Sequence, residues 1–120
     1  MESGRLFLPK SHILRSKTDI DALLEQGSLL FKYPLKIYYR QRTGEDEDFS
    51  RMMVSVPKRG FKRAVHRNLL KRRIREAWRL NAAMLGERRF DLLFVYLGRE
   101  IESYERIQTS LTNLLRQLGE

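Results

Sequence analysis

Apolar residues recur along this chain with two different periods, and the switches between them mark its elements. Ile20, Leu23 and Leu24 sit at helical spacing behind Ser16-Lys17-Thr18-Asp19, which has the spacing of a capping box. The pattern predicts a short helix over Lys17–Gln26, ended by Gly27 in a left-handed conformation. Strands over Leu29–Tyr33 and Leu35–Gln41 follow, separated by Pro34. In the second, Leu35, Ile37 and Tyr39 alternate with Lys36, Tyr38 and Arg40. One face is therefore apolar, and the other is cationic with an aromatic at its centre. The polar run Arg42–Phe49 reads as a hairpin loop into a strand over Arg51–Val56, where Met52, Val54 and Val56 share a face.

Pro57-Lys58-Arg59-Gly60 breaks that strand, and a long helix is expected from Lys62 to Leu85. Phe90–Leu97 is nearly all apolar, as a strand covered on both faces would be. Ser103 can cap a last helix, in which Ile107, Leu111, Leu114, Leu115 and Leu118 form an apolar stripe. The order α-β-β-β-α-β-α predicts an α+β sandwich, with helices packed on a four-stranded sheet. Residues 1–15 give weak signals. With no repeat, low-complexity tract or linker, residues 1–120 are expected to form one domain.

Composition narrows the function. A chain of 120 residues can bury a core without metal or disulfide staples. The chain has no cysteine, which excludes disulfides, thiol catalysis and cysteine-type zinc sites. No apolar run approaches the roughly 18 residues of a membrane span, and Met1-Glu2-Ser3-Gly4-Arg5 lacks the apolar stretch of a secretory signal. A cytoplasmic protein without a membrane partner is expected. The formal net charge is +9, an excess tolerated more readily when a polyanion neutralises it. That charge is uneven. Acids gather at Glu45-Asp46-Glu47-Asp48 and bases from Lys58 to Arg79, where Glu76 is the only acid. A clustered basic stripe is the footprint of a phosphate-binding face.

With Arg67 at zero and about 100° per residue, Lys71, Arg75, Asn68, Arg79 and Arg72 fall within an arc of about 140°. Leu70, Ile74 and Ala77 lie on a separate arc bordered by Trp78. One face of the helix is thus expected to dock on the sheet, while the other presents guanidinium groups able to bind phosphate oxygens in pairs. Asn68 adds a neutral donor and acceptor for a sugar or base edge. Glu76 falls outside the arc and is expected to leave it unneutralised.

The run Ala64-Val65-His66-Arg67-Asn68-Leu69-Leu70-Lys71-Arg72-Arg73-Ile74-Arg75-Glu76 resembles the signature helix of the bacterial ribonuclease P protein family, A-V-x-R-N-R-x-K-R-x-x-R-E. Arg51 to Arg59 resembles the strand and turn preceding that helix. Ile20-x-x-Leu23-Leu24-x-x-Gly27 resembles the family's F-x-x-V-F-x-x-G, and Asp91 to Leu97 with Ser103-Tyr104-Glu105 resembles its closing strand and helix. The resemblance implies a split βαβ sandwich with a left-handed crossover, the fold class named after the second domain of a small-subunit ribosomal protein. It implies an accessory subunit whose RNA partner carries the catalysis, with magnesium serving that RNA. The partners implied are ribonuclease P RNA and precursor tRNA. Lys58, Arg59, Lys62, Arg63, Arg67, Asn68, Lys71, Arg72, Arg75 and Arg79 are then expected to bind RNA. Ile20, Leu24, Lys36, Tyr38 and Arg40 are expected to line the cleft for the 5′ leader. The chain departs from the pattern in three places. Leu69 replaces an arginine, about 200° from Arg67 and so outside the cationic arc. The turn after Lys58 is one residue longer. Ile20 and Leu24 stand where the pattern has phenylalanines.

No catalytic residue, bound metal or cofactor is expected on the protein itself. His12 and His66 are the only histidines and make no triad. His66, on the flank of the long helix, suits packing or capping. The acids at 45–48 lack a calcium loop's spacing and suit a solvated tip. A ribosomal or rRNA-binding protein remains the alternative, although it has no need of a separate aromatic and cationic face on the sheet. A DNA-binding helix lacks the preceding helix of a helix-turn-helix. A membrane-surface helix conflicts with the use of Trp78 and the leucines in the core.

Overall fold

The structure, a computed structural model, describes residues 13–14, 16–42 and 49–119. Its elements are helix α1 (Lys17–Gln26), strands β1 (Ser28–Lys32), β2 (Leu35–Gln41) and β3 (Arg51–Ser55), helix α2 (Ala64–Asn81), strand β4 (Phe90–Tyr96) and helix α3 (Tyr104–Gly119). A short 3-10 segment, Ala82–Leu85, follows α2. The order is the one the hydrophobic pattern predicts, and the class is α+β.

The four strands lie in the order β1-β2-β4-β3. β1 and β2 form an antiparallel hairpin in which Lys32 opposes Leu35, so Tyr33 and Pro34 make the turn. β4 runs antiparallel to β2 and parallel to β3. β2 and β3 are therefore not paired, and the expected hairpin between them does not form: β4 lies between them, and α2 returns the chain from β3 to that central place. The reason lies in β4 itself: a strand apolar on both faces is most stable with a neighbour on each side and a layer above and below.

One sheet face carries the larger core. Leu35, Ile37, Met52, Val54, Leu92 and Phe94 meet Leu70, Ile74, Ala77 and Trp78 of α2 and Ile107, Leu111, Leu114, Leu115 and Leu118 of α3. Trp78 is buried here, its ring 6.0 Å from that of Phe94. The opposite face carries a smaller cluster, Leu14, Leu23 and Leu93, with Ile20, Tyr38, Met53 and Val95 packed against it. α1 thus covers only part of that face: Lys36, Tyr38, Met53 and Val95 stay half-buried, the floor of a shallow groove along the helix.

Caps account for the helix ends. Ser16 Oγ accepts a hydrogen bond from the Asp19 amide at 3.3 Å, and Ser103 Oγ accepts one from the Arg106 amide at 3.2 Å. Gly27 corrects an expectation. Its φ of −73° is extended, not left-handed. Glycine is required there because a Cβ would meet the Leu23 carbonyl oxygen at 2.3 Å, against which the chain turns. α2 starts two residues later than expected: Arg63 is extended and occupies the N-cap, with no side-chain capping hydrogen bond. Phe61 is buried against Tyr96, with ring centroids 5.7 Å apart, which holds the preceding loop out of the helix.

Candidate nucleic-acid interface

α2 docks through Leu70, Ile74, Ala77 and Trp78, which leaves Asn68, Arg72 and Arg75 exposed on its outer surface. Lys58, Arg59, Lys62 and Arg63 are exposed on the loop that leads into it. Seven of the expected RNA-binding residues are thus presented to solvent on adjoining elements. The other three are placed differently. Arg67 and Lys71 are half-buried. On the wheel Arg67 lies between Ile74 and Trp78, inside the docking arc and not beside it. Its guanidinium turns back on the loop, one nitrogen donating to the carbonyls of Phe61 at 2.7 Å and Lys62 at 2.9 Å.

Arg79 also departs from expectation. It makes a two-pronged pair with Glu76, at 2.8 and 3.1 Å, so Glu76 does neutralise part of the strip. Residues three apart on a helix are neighbours, and the long arginine side chain reaches round the wheel. The hydrogen bond to Glu76 holds the Arg79 guanidinium above its ordinary value. Arg73 donates to the carbonyl of Glu102 and ties α2 to the segment before α3. His66 is half-buried on the flank of α2. Leu69 is half-buried as well, outside the exposed basic surface.

The second surface is the open part of the sheet beside α1. Strand alternation places Lys36, Tyr38 and Arg40 on it, each half-buried. The Lys36 ammonium stands 5.1 Å from the centre of the Tyr38 ring. Ile20 and Leu24 divide: Ile20 packs into the smaller cluster, whereas Leu24 is 46% exposed. Arg40 has a partner on the sheet, Asp91, at 3.4 Å.

Asp91 is the functional-looking group that the apolar reading of β4 passes over. It is 1% exposed, near the start of the central strand β4. Arg51 meets it with two hydrogen bonds of 2.9 Å each, Arg40 approaches from β2, and Arg42 lies at 3.8 Å. Arg51 also reaches Asp19 of α1 at 3.2 Å. The hydrogen bond to Asp91 holds the Arg51 guanidinium above its ordinary value, while burial and then the charge of Arg51 lower that of Arg42. A lone aspartate in an otherwise apolar strand is itself a signal, because a buried carboxylate requires paired donors. This cluster joins β2, β3 and β4 to α1 and fixes the edge of the groove.

The arrangement is suited to binding. Among the described residues no three His, Asp or Glu side chains gather as a metal would require. Asp91 and Asp19, the acids closest to the sheet face, are held by arginines. His12 and the acids at 45–48 lie outside the described residues. Among the described residues, no helix is long and apolar enough to cross a membrane.

Comparison with known proteins agrees with this geometry. The family model described as Ribonuclease P matches residues 8–119. The ribonuclease P protein component of Porphyromonas gingivalis is 32% identical over 118 residues, covering 93% of this chain and 86% of its own. That of Chlorobaculum tepidum is 32% identical over 126 residues, covering 92% and 82%. The solved RNase P protein of Staphylococcus aureus superposes with a TM-score of 0.74 at 21% identity, over 90% of this chain and 95% of that one, a likeness of fold. That of Thermotoga maritima gives 0.75 at 25% identity, over 87% and 97%. A signature helix, an α+β sheet order and relatives matched over nearly their whole length converge on one result: the chain belongs to the ribonuclease P protein family.

Proposed function

We infer that the chain acts as the accessory protein subunit of ribonuclease P, binding the catalytic RNA on one surface and the 5′ leader of precursor tRNA on another. The observation that carries this reading is the pair of separate basic surfaces. Lys58, Arg59, Lys62, Arg63, Asn68, Arg72 and Arg75 are exposed on α2 and its loop, and α2 packs on the sheet face opposite to Tyr38. Arg67, Lys71 and Arg79 border the first surface, with Arg67 shaping the loop that carries four of its cations. Lys36 and Tyr38 supply the second, where an aromatic ring stacks a base and a cation holds its phosphate. A ribosomal protein has no need of the second surface, and the family relatives favour the ribonuclease P reading.

The chemistry belongs to the RNA. Catalytic RNA and precursor are both polyanions, and bringing them together requires counterions, magnesium among them. A subunit of net charge +9 supplies part of that screening at fixed positions. It therefore lowers the magnesium requirement, and it tightens precursor binding more than product binding because only the precursor has a leader. The test is a magnesium titration of ribonuclease P RNA alone, the protein alone and the pair, on one precursor tRNA. Expected are no cleavage by the protein and cleavage by the pair at magnesium concentrations where the RNA alone is slow. Cleavage at the mature 5′ end by RNA-free protein would overturn the accessory role. Absence of stimulation with a matched RNA would return the ribosomal alternative.

A further inference from the structure

Phe31 and Tyr33 are the two exposed aromatic residues among those described, at 57% and 45%, and both lie at the hairpin of β1 and β2. Neither helps the core: Leu30, the residue before Phe31, packs into it instead. An apolar side chain this exposed on an edge strand invites association and carries a cost unless something uses it. The register shows what is near. Phe31 opposes Lys36 and Leu29 opposes Tyr38, and directly opposed residues share a face. Phe31 therefore stands on the same face as Tyr38 and Lys36. The row across the sheet at this level is Phe31, Lys36, Val95 and Ser55, with one cation and no acid.

We propose that Phe31 is a base-stacking residue for the leader, supplying from β1 the aromatic surface that Ile20 and Leu24 of α1 do not provide. The inference rests on the reading that the Tyr38 face holds the leader. Phe31 and Tyr38 are diagonal neighbours on an antiparallel pair, about 7–8 Å apart. Side chains on one face reach each other over that spacing, so a leader strand stacked on Tyr38 passes within reach of Phe31. Lys36 lies between them and already places its ammonium over the Tyr38 ring, 5.1 Å from its centre. A base entering there displaces the ammonium toward the adjoining phosphate. Single-stranded RNA fits this surface better than a second copy of the chain, since two copies each carrying +9 repel.

The test uses the complex reconstituted with ribonuclease P RNA, a precursor tRNA with 2-aminopurine at successive leader positions, and the mature tRNA. Phe31→Ala should weaken precursor binding by about fivefold or more, the lower end of one base stack. Phe31→Thr, which keeps strand propensity, should do the same, and Phe31→Tyr should restore binding. Mature tRNA affinity should not change. One leader position should show 2-aminopurine quenching that Phe31→Thr removes. Tyr38→Ala separates this inference from the reading beneath it. Wild-type precursor affinity in Phe31→Thr alongside a loss in Tyr38→Ala would overturn the role of Phe31 and keep the leader face. No loss in either variant would remove both. A concentration-dependent dimer that Phe31→Thr abolishes, with precursor affinity unchanged, would assign the patch to a second copy and overturn the proposal.

Discussion

Replacing Asp91 by asparagine keeps the shape of the side chain and removes its charge, which makes it the sharpest probe of how the groove is held. The native carboxylate accepts two hydrogen bonds of 2.9 Å from Arg51 and one of 3.4 Å from Arg40, with Arg42 at 3.8 Å. An asparagine oxygen can keep one of these, but its amide group then faces guanidinium donors. Hydrogen bonds to charged groups contribute about 1.5–3 kcal/mol each, and breaking a buried pair costs about 3–5 kcal/mol. The three arginines remain partly hydrated, with side-chain exposures between 9% and 34%, so they recover part of their solvation. A destabilisation of about 3 kcal/mol follows. With a urea m-value of about 1.5–2 kcal/mol/M for this size, the unfolding midpoint should fall by about 1.5–2 M. Asp19→Asn is the control: it breaks only the more exposed pair to Arg51, with an expected cost of about 0.5 kcal/mol. Urea unfolding of both variants gives the answer. A cost below about 1 kcal/mol for Asp91→Asn, or equal costs in the two variants, would show that the cluster does not hold the strands together.

The other predictions concern the two surfaces and one turn. Arg72→Ala with Arg75→Ala should flatten the log K against log salt slope for ribonuclease P RNA by about 0.7–0.9 for each phosphate no longer neutralised, with stability changed by less than about 0.5 kcal/mol; filter binding at several salt concentrations measures it. Arg67→Ala should also lower stability by about 1 kcal/mol, because it removes the clip on the Phe61 and Lys62 carbonyls. Tyr38→Ala should weaken precursor tRNA binding by about 1–3 kcal/mol and spare mature tRNA; equal weakening for both ligands would refute the leader assignment. Gly27→Ala should cost about 1–3 kcal/mol by overpacking, visible in thermal melting, since its Cβ would lie 2.3 Å from the Leu23 oxygen.

Local signals in the sequence are sufficient for the helix caps and for the alternation of β2. Ser16 and Ser103 cap their helices as their spacing predicts, and the alternation in β2 separates Leu35 and Ile37 from Lys36 and Tyr38 as expected. Pairing between distant segments is less legible. The alternation of β3 fits either neighbour, so a hairpin with β2 and a parallel pair with β4 look alike until β4 is placed at the centre. The site shows the same division. The exposed cations of α2 follow from the wheel, but Arg67 and Arg79 depend on how long side chains fold back, on the loop at Phe61 and on Glu76. No period encodes that. Arg40 looks like a free cation in the sequence because its partner, Asp91, lies 51 residues further along the chain.

Asp91 also connects the stability of the fold with the geometry of the groove. Lys36 and Tyr38 sit on β2, Phe31 on β1, and α1 forms the opposing wall. The distance from wall to floor depends on what holds α1 down. Leu23 and Ile20 pack in a small apolar cluster with Leu93 and Tyr38. The second attachment is polar: Asp19 on α1 binds Arg51, and Arg51 binds Asp91. A surface pair alone would be weak and flexible, but Arg51 is already fixed in position by two hydrogen bonds to a buried carboxylate. Asp19 therefore meets a guanidinium whose ordering is already complete. Asp19→Asn should then leave unfolding nearly unchanged and yet loosen α1 over the groove. Hydrogen exchange of the α1 amides, compared with those of β2, reads this directly. Faster exchange confined to α1, together with a faster precursor dissociation rate and unaltered affinity for ribonuclease P RNA, is the expected result. Unchanged exchange in α1 would mean that Leu23 and Ile20 hold the wall without the ion pair.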